Sequence, residues 1–207
     1  MIPVKVLAVR YLASATPDLC KALGATERTP CLGLITTDCD DATYIALDEA
    51  TKAAEVQVCF GSSFYAGAAN ASTPNAGEVL GILCAATPGA VRSGMEAVLG
   101  ALERIGFESA GEVPYLAYTV SSCGSFLAKE AGVEEGSALA YLIAPPLESM
   151  YAMDAALKAA DVKLCKLYAP PSPTNFGGGL LTGTRSACAA ACEAFSQAVA
   201  EIGGNPK

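Results

Sequence analysis

Asp38, Cys39, Asp40 and Asp41 put three carboxylates and a thiol into four consecutive positions of "TTDCDDATYIALDEATKAA" (36–54), directly ahead of a segment with helical spacing. Residues of these types can hold a hard cation, exchange a proton with a substrate, or impose a negative potential on whatever passes. The calcium reading has Asp38, Asp40 and Glu49 at positions 1, 3 and 12 of an EF-hand loop. It fails at positions 5 and 6, where Ala42 and Thr43 stand in place of a ligand and a glycine. An acid-pair enzyme site at Asp40 and Asp41 needs a nucleophile, a phosphate-binding glycine motif or a dinucleotide fingerprint beside it, and the chain offers none. The absence of His removes every Ser-His, Cys-His and His-rich metal arrangement. A helix cap explains one carboxylate, or two, but not three.

Two further stretches stand out, "GSSFYAGAANASTPNAGE" (61–78) and "YAPPSPTNFGGG" (168–179), long loops that carry Phe64 with Tyr65 and Phe176 as aromatic residues expected to be exposed. Loops of this length in a compact domain are commonly functional or mobile. The "GGG" at 177–179 lacks the following Lys of a phosphate-binding loop.

The elements that position these residues come in two copies. "TYIALDEATKAAEVQV" (43–58) laid over "SMYAMDAALKAADVKL" (149–164) matches at seven of sixteen positions, four of them Ala, with Asp48 on Asp154, Lys52 on Lys158 and Val56 on Val162. "GILCAATPGAVRSGMEAVL" (81–99) corresponds to "GLLTGTRSACAAACEAFSQ" (179–197), each a short strand, a break and a helix. Strands are expected at "VKVLAVRYL", "CLGLITT", "EVQVCF", "YLAYTVSS", "ALAYLIA" and "DVKLCKLY", and short helices at "TPDLCKALG" and "GSFLAKEAGV". Each half reads β-α-β-α-β-loop-β-α, with domains 1–110 and 111–207 meeting near Glu108–Val113. Ala46, Ala50, Ala53 and Ala54, and likewise Ala152, Ala156, Ala159 and Ala160, form small-residue stripes that predict a buried face on each long helix.

The composition narrows the function classes. The 207 residues are 52% hydrophobic and only 16% charged, which leaves little charge to cover a solitary monomer and predicts an assembling protein. The mean hydropathy is +0.38, yet no apolar run approaches the roughly 18 to 20 residues of a membrane span. A net charge of −8 argues against nucleic acid and anionic membrane as partners. No basic start followed by a long apolar segment is present at the amino terminus, so a cytoplasmic location is expected. The nine Cys are scattered without a CxxC pair, which predicts reduced thiols in small buried spaces rather than disulfides or zinc.

"LGLITTDCDDATYIALDEATKAA", "FYAGAANASTPNAGEVLGIL", "GSALAYLIAPPLESMYAMDAALKAADV" and "PTNFGGGLLTGTRSACAAACEAF" together resemble, over nearly the whole chain, the EutL-like family of bacterial microcompartment shell proteins. The resemblance implies an α/β (α+β, ferredoxin-like) fold of two tandem, circularly permuted BMC domains, forming a pseudohexameric homotrimer that tiles edge to edge with other shell proteins. It implies no enzyme activity and no cofactor. It implies a narrow pore lined by Asp40, Asp41, Glu78 and Glu148, with Phe107 as a wall residue. It also implies a wider, loop-gated central pore bordered by Phe64, Tyr65, Ala66, Gly67, Thr174, Asn175, Phe176 and Gly177. An acidic constriction favours cations, so an ethanolamine-like metabolite is the expected passenger. The alternatives are an ethanol- or choline-type compartment, or a metabolite-sensing regulatory module.

Overall fold

The computed structural model describes residues 1–64, 75, 77–170 and 172–204. The chain divides into two compact units. The N-terminal unit holds Pro3–Ile105 together with Gly124–Phe126; the C-terminal unit holds Met1–Ile2, Gly106–Cys123 and Leu127–Lys207.

In chain order the N-terminal unit is built from β1 (Val6–Leu12), α1 (Pro17–Ala22), β2 (Cys31–Thr37), α2 (Asp40–Ala53), β3 (Gln57–Ser63), β4 (Val79–Ala85) and α3 (Pro88–Leu102). Its sheet runs β1-β2-β4-β3, antiparallel throughout. One face is closed by α2 and α3. They come close because glycines stand beneath them: a Cβ on Gly81 would lie 2.7 Å from Leu47 of α2, and one on Gly33 would lie 2.7 Å from Val91 of α3. The other face carries a smaller core of Cys20, Ala25, Leu32, Ile82 and Cys84.

The C-terminal unit repeats the plan with β6 (Val113–Val120), α4 (Ser125–Ala131, from Leu127 onward), β7 (Ala138–Ala144), α5 (Pro146–Ala159), β8 (Val162–Tyr168), β9 (Gly177–Gly183) and α6 (Arg185–Gly204). Its sheet order, β5-β6-β7-β9-β8, matches that of the first copy with one added edge strand. That strand, β5 (Glu108–Ala110), occupies what reads in the sequence as a connecting segment, and it folds back on β6 through Gly111 at φ 65°. Strand β7 is buried along its whole length, which is why "ALAYLIA" reads as a continuous apolar run rather than an alternation. Its partners in the core include Met153, Cys188, Cys192 and Phe195 from α5 and α6.

The correspondence between copies is close in backbone detail. Helices α2 and α5 have the same length, and both end on an extended alanine, Ala54 at φ −147° and Ala160 at φ −146°. Thr87 caps α3 by accepting from the Ala90 N–H at 3.2 Å, and Thr184 accepts from the Ala187 N–H at 3.1 Å. One residue, Ala86, separates β4 from Thr87 whereas β9 runs directly into Thr184, so the gapless pairing of 81–99 with 179–197 slips by one at that point.

Several expectations need correction. Of the alanine stripes, Ala46, Ala50, Ala152 and Ala156 are buried, but Ala53 and Ala159 are exposed and Ala54 and Ala160 half-buried. Helix α2 begins at Asp40 rather than Thr43. The second long loop is shorter than its composition suggests, because Tyr168 belongs to β8 and Gly177–Gly179 belong to β9. That glycine run is a strand segment packed too closely for side chains: a Cβ on Gly179 would meet the Lys166 carbonyl and Met153.

Candidate functional site: an acidic turn at the start of α2

The turn from β2 into α2 is built by hydroxyl groups. The Thr43 hydroxyl donates to the Cys39 carbonyl at 2.7 Å and lies 2.7 Å from the Thr37 hydroxyl, which in turn accepts from the Cys39 N–H at 3.2 Å. Both threonines are fully buried. The expected Asp cap is not formed: the N-cap is Cys39, whose side chain makes no capping bond, and Asp40 accepts from the neighbouring Asp41 N–H at 2.9 Å. Both carboxylates therefore sit within the first turn, where the helix dipole favours negative charge.

Asp38 has a structural task. Its carboxylate accepts from the Lys5 N–H at 2.7 Å, and its own N–H donates to the Lys5 carbonyl at 3.2 Å, which ties the turn to the chain entering β1.

Glu78 reaches the same place from the start of β4. Because β2 and β4 pair in antiparallel register with Thr37 opposite Val79, the Glu78 N–H donates to the Thr37 carbonyl at 2.8 Å. Gly77 makes this approach possible, with φ 63° and no room for a Cβ against the Thr37 carbonyl and Leu7. The Glu78 carbonyl accepts from the Phe64 N–H at 2.9 Å, which places that loop residue beside the site.

The electrostatics follow from crowding. Burial, then the charges of Asp40 and Asp38, push the Glu78 carboxyl up to about 7. Burial, reinforced by Asp41, Asp40 and Glu78, pushes the Cys39 thiol well up, so it is no nucleophile at neutral pH. Asp40 and Asp41 are each 7% exposed. Among the described residues no three His, Cys, Asp or Glu side chains converge closely enough to hold a metal ion. The arrangement concentrates negative charge without a nucleophile.

The equivalent turn of the C-terminal unit is different in chemistry. Pro146, Leu147, Glu148 and Ser149 take the places of Asp40, Asp41, Ala42 and Thr43. The buried hydroxyl is kept, with Ser149 donating to the Pro146 carbonyl at 3.0 Å, but Glu148 is half-buried and Leu147 is 66% exposed. Asn175 has the left-handed backbone of Gly77, φ 63°, and Phe176 stands where Glu78 does. Phe176 packs edge to face on Phe107, with ring centroids 5.5 Å apart. The resemblance assigns those two rings to different pores, yet they touch. Gly177 is buried against Ser149, and Thr174 and Asn175 lie in the turn before it. Tyr65, Ala66 and Gly67 lie outside the described residues.

Sequence reasoning missed the Thr37–Thr43 pair and the Gly77–Asn175 correspondence. The signal for the first was a Thr two positions after the acid run; the second emerges only when the two copies are aligned through β4 and β9.

The comparisons with known proteins bear on the whole chain. Residues 31–115 match the BMC domain family. The match opens at β2 and closes on β6, the counterpart of β1 in the next copy, as expected of a permuted domain. The bacterial microcompartment shell protein EutL of Clostridium perfringens is 55% identical over all of this chain and 97% of its own length. The Escherichia coli protein of the same name is 47% identical over 100% of this chain and 96% of its own. The chain belongs to the EutL family of bacterial microcompartment shell proteins. The EutL fold extends to the structure: the crystal structure of the ethanolamine utilization protein EutL from Leptotrichia buccalis superimposes with a TM-score of 0.96 at 54% identity, covering 99% of this chain and 96% of that one. EtuB from Clostridium kluyveri shares the fold with a TM-score of 0.80 at 23% identity, covering 94% of this chain and 86% of its own. As a EutL-family member the chain is a shell component rather than an enzyme, and its tandem α+β architecture is that of the family.

Proposed function

We propose that this EutL-family chain assembles as a trimer of tandem BMC domains in the shell of an ethanolamine-utilising microcompartment, and that the turn bearing Asp40, Asp41 and Glu78 sets the charge of a narrow pore that admits cationic metabolites. The observation that carries the pore reading is the convergence of three carboxylates from β2–α2 and β4 on one turn, two of them nearly buried and one with a raised pKa. Negative charge concentrated in this way has no partner chemistry for catalysis and attracts an ammonium group while repelling anions. Full-length identity to EutL proteins, against 23% to EtuB, supports ethanolamine over other compartment types. Glu148 and Phe107 are carried as lining residues by resemblance, as are Phe64 to Gly67 and Thr174 to Gly177 for a gated central pore.

The test is permeation. Shells assembled with the wild-type chain, or with the D40N/D41N/E78Q variant, are loaded with reporter dye, and the entry rate of ethanolamine is compared with that of lactate. The variant is expected to lower the amine-to-anion ratio by roughly tenfold or more. An unchanged ratio in shells of normal assembly overturns the pore reading.

A further inference from the structure

Three thiols share the small core on the α1 face of the N-terminal unit. Cys20 and Cys84 are buried there with Leu32 and Ile82, and Cys59 packs against them. The β3–β4 ladder pairs Gln57 with Cys84 and Phe60 with Ile82 and shifts register between Val58 and Phe60, so Cys59 is the bulged residue without a partner in the ladder. A bulge re-aims a side chain. Here it leaves the Cys59 thiol 3.5 Å from the Ile82 carbonyl, next to the Cys84 thiol one ladder step away. With the bulge, Val58 and Cys59 together face Leu83, so Cys59 and Cys84 are diagonal neighbours across the ladder, both in the core on the α1 face.

We propose that Cys59 and Cys84 are a reversible oxidation site that closes an intrachain disulfide across the β3–β4 ladder when the protein meets a peroxide. The Cys84 thiolate attacks one peroxide oxygen and the O–O bond breaks, which leaves a sulfenic acid and, after protonation, one water. The Cys59 sulfur then attacks the sulfenic sulfur and the S–O bond breaks, releasing a second water. Two thiols and one hydrogen peroxide give one disulfide and two waters; the thiols are oxidised and the peroxide is reduced. The hydrogen bond between the two thiols lowers Cys84, with help from Thr29 and against burial, and raises Cys59, so Cys84 is the thiol that ionises first. Cys59 is only partly buried and offers the approach to its neighbour.

The second copy supplies an internal control. Cys165 occupies the equivalent bulge of β8, between Leu164 and Lys166, but the position matching Cys84 is Thr182. The same backbone device is present there without the second thiol across the ladder.

The experiment treats the full-length protein with hydrogen peroxide at pH 7.5, alkylates the remaining thiols, and maps crosslinked peptides by mass spectrometry under non-reducing conditions. The expected result is a single Cys59–Cys84 crosslink, removed by dithiothreitol, abolished in C59S and C84S, and retained in C20S. Its rate of formation is expected to rise several-fold between pH 6 and pH 8. Full alkylation of Cys59 and Cys84 after peroxide, a crosslink involving Cys165 or Cys20 instead, or over-oxidation of Cys84 without a crosslink overturns the proposal.

Discussion

Glu78 gives up its proton only near pH 7, because its carboxyl is partly desolvated and faces the charges of Asp40 and Asp38. Two consequences follow with definite signs. In transport, the turn gains a full negative charge as pH rises from 6 to 8, so amine selectivity should increase over that window in the wild type and stay flat in E78Q. In stability, the unfolded chain ionises Glu78 near its ordinary 4.5 whereas the folded chain holds the proton up to about 7. The folded state therefore binds more protons in between and loses relative stability as pH rises from about 4.5 to 7. Thermal melts of E78Q should lie above wild type at pH 8 and converge with it below pH 4.5. A variant that melts lower than wild type at pH 8 would mean that the charged form of Glu78 is stabilised in the fold. The acid run was legible as negative charge in excess of a cap, since residue type alone reveals it. That Asp38 and Cys39 shape the turn was legible too; the contacts add how, with Asp38 accepting from the Lys5 N–H and burial, then its acidic neighbours, pushing the Cys39 thiol up.

The two copies share elements but not the duties of matched residues. Asp48 and Asp154 match in the same frame as the helices that carry them, yet Asp48 is fully buried and accepts from the Gly124 N–H at 2.7 Å. Thr51, one turn on, accepts from the Ser125 N–H at 3.2 Å, so α2 holds the Gly124–Phe126 segment with two consecutive bonds. A Cβ on Gly124 would collide with both side chains. Asp154 instead points outward and pairs with Lys158 four residues later, both side chains well exposed. Asp48→Ala is expected to cost about 1–3 kcal/mol, since it strands a buried N–H. Asp154→Ala should stay within about 1 kcal/mol, as exposed i,i+4 pairs do. Equal losses in urea titrations of the two variants would contradict this division. Helices and strands themselves were readable, with "CLGLITT" and "ALAYLIA" coinciding with β2 and β7, because apolar periodicity is a local property. Short β5 was not, since three residues without periodicity become a strand only when β6 is beside them.

Across the whole chain, sparse charge goes with apolar side chains left in the open, among them Leu147, Tyr151, Leu164 and Leu167. Surfaces of that kind are normally covered by other subunits. Light scattering of the purified protein should give a mass near three times 20.9 kDa. A monomer persisting at high concentration would count against the trimer. The sequence by itself determined the tandem order of elements and the exclusion of His-dependent chemistry, because composition, periodicity and internal matches need no knowledge of contacts, and its resemblance to known shell proteins pointed to the family. Only the tertiary structure decided how Glu78 reaches Asp40, that Phe176 takes the equivalent place in the second copy, and that Cys59 bulges into the core that holds Cys84. Each of these depends on antiparallel register and on a bulge or a left-handed residue, which bring together side chains far apart along the chain.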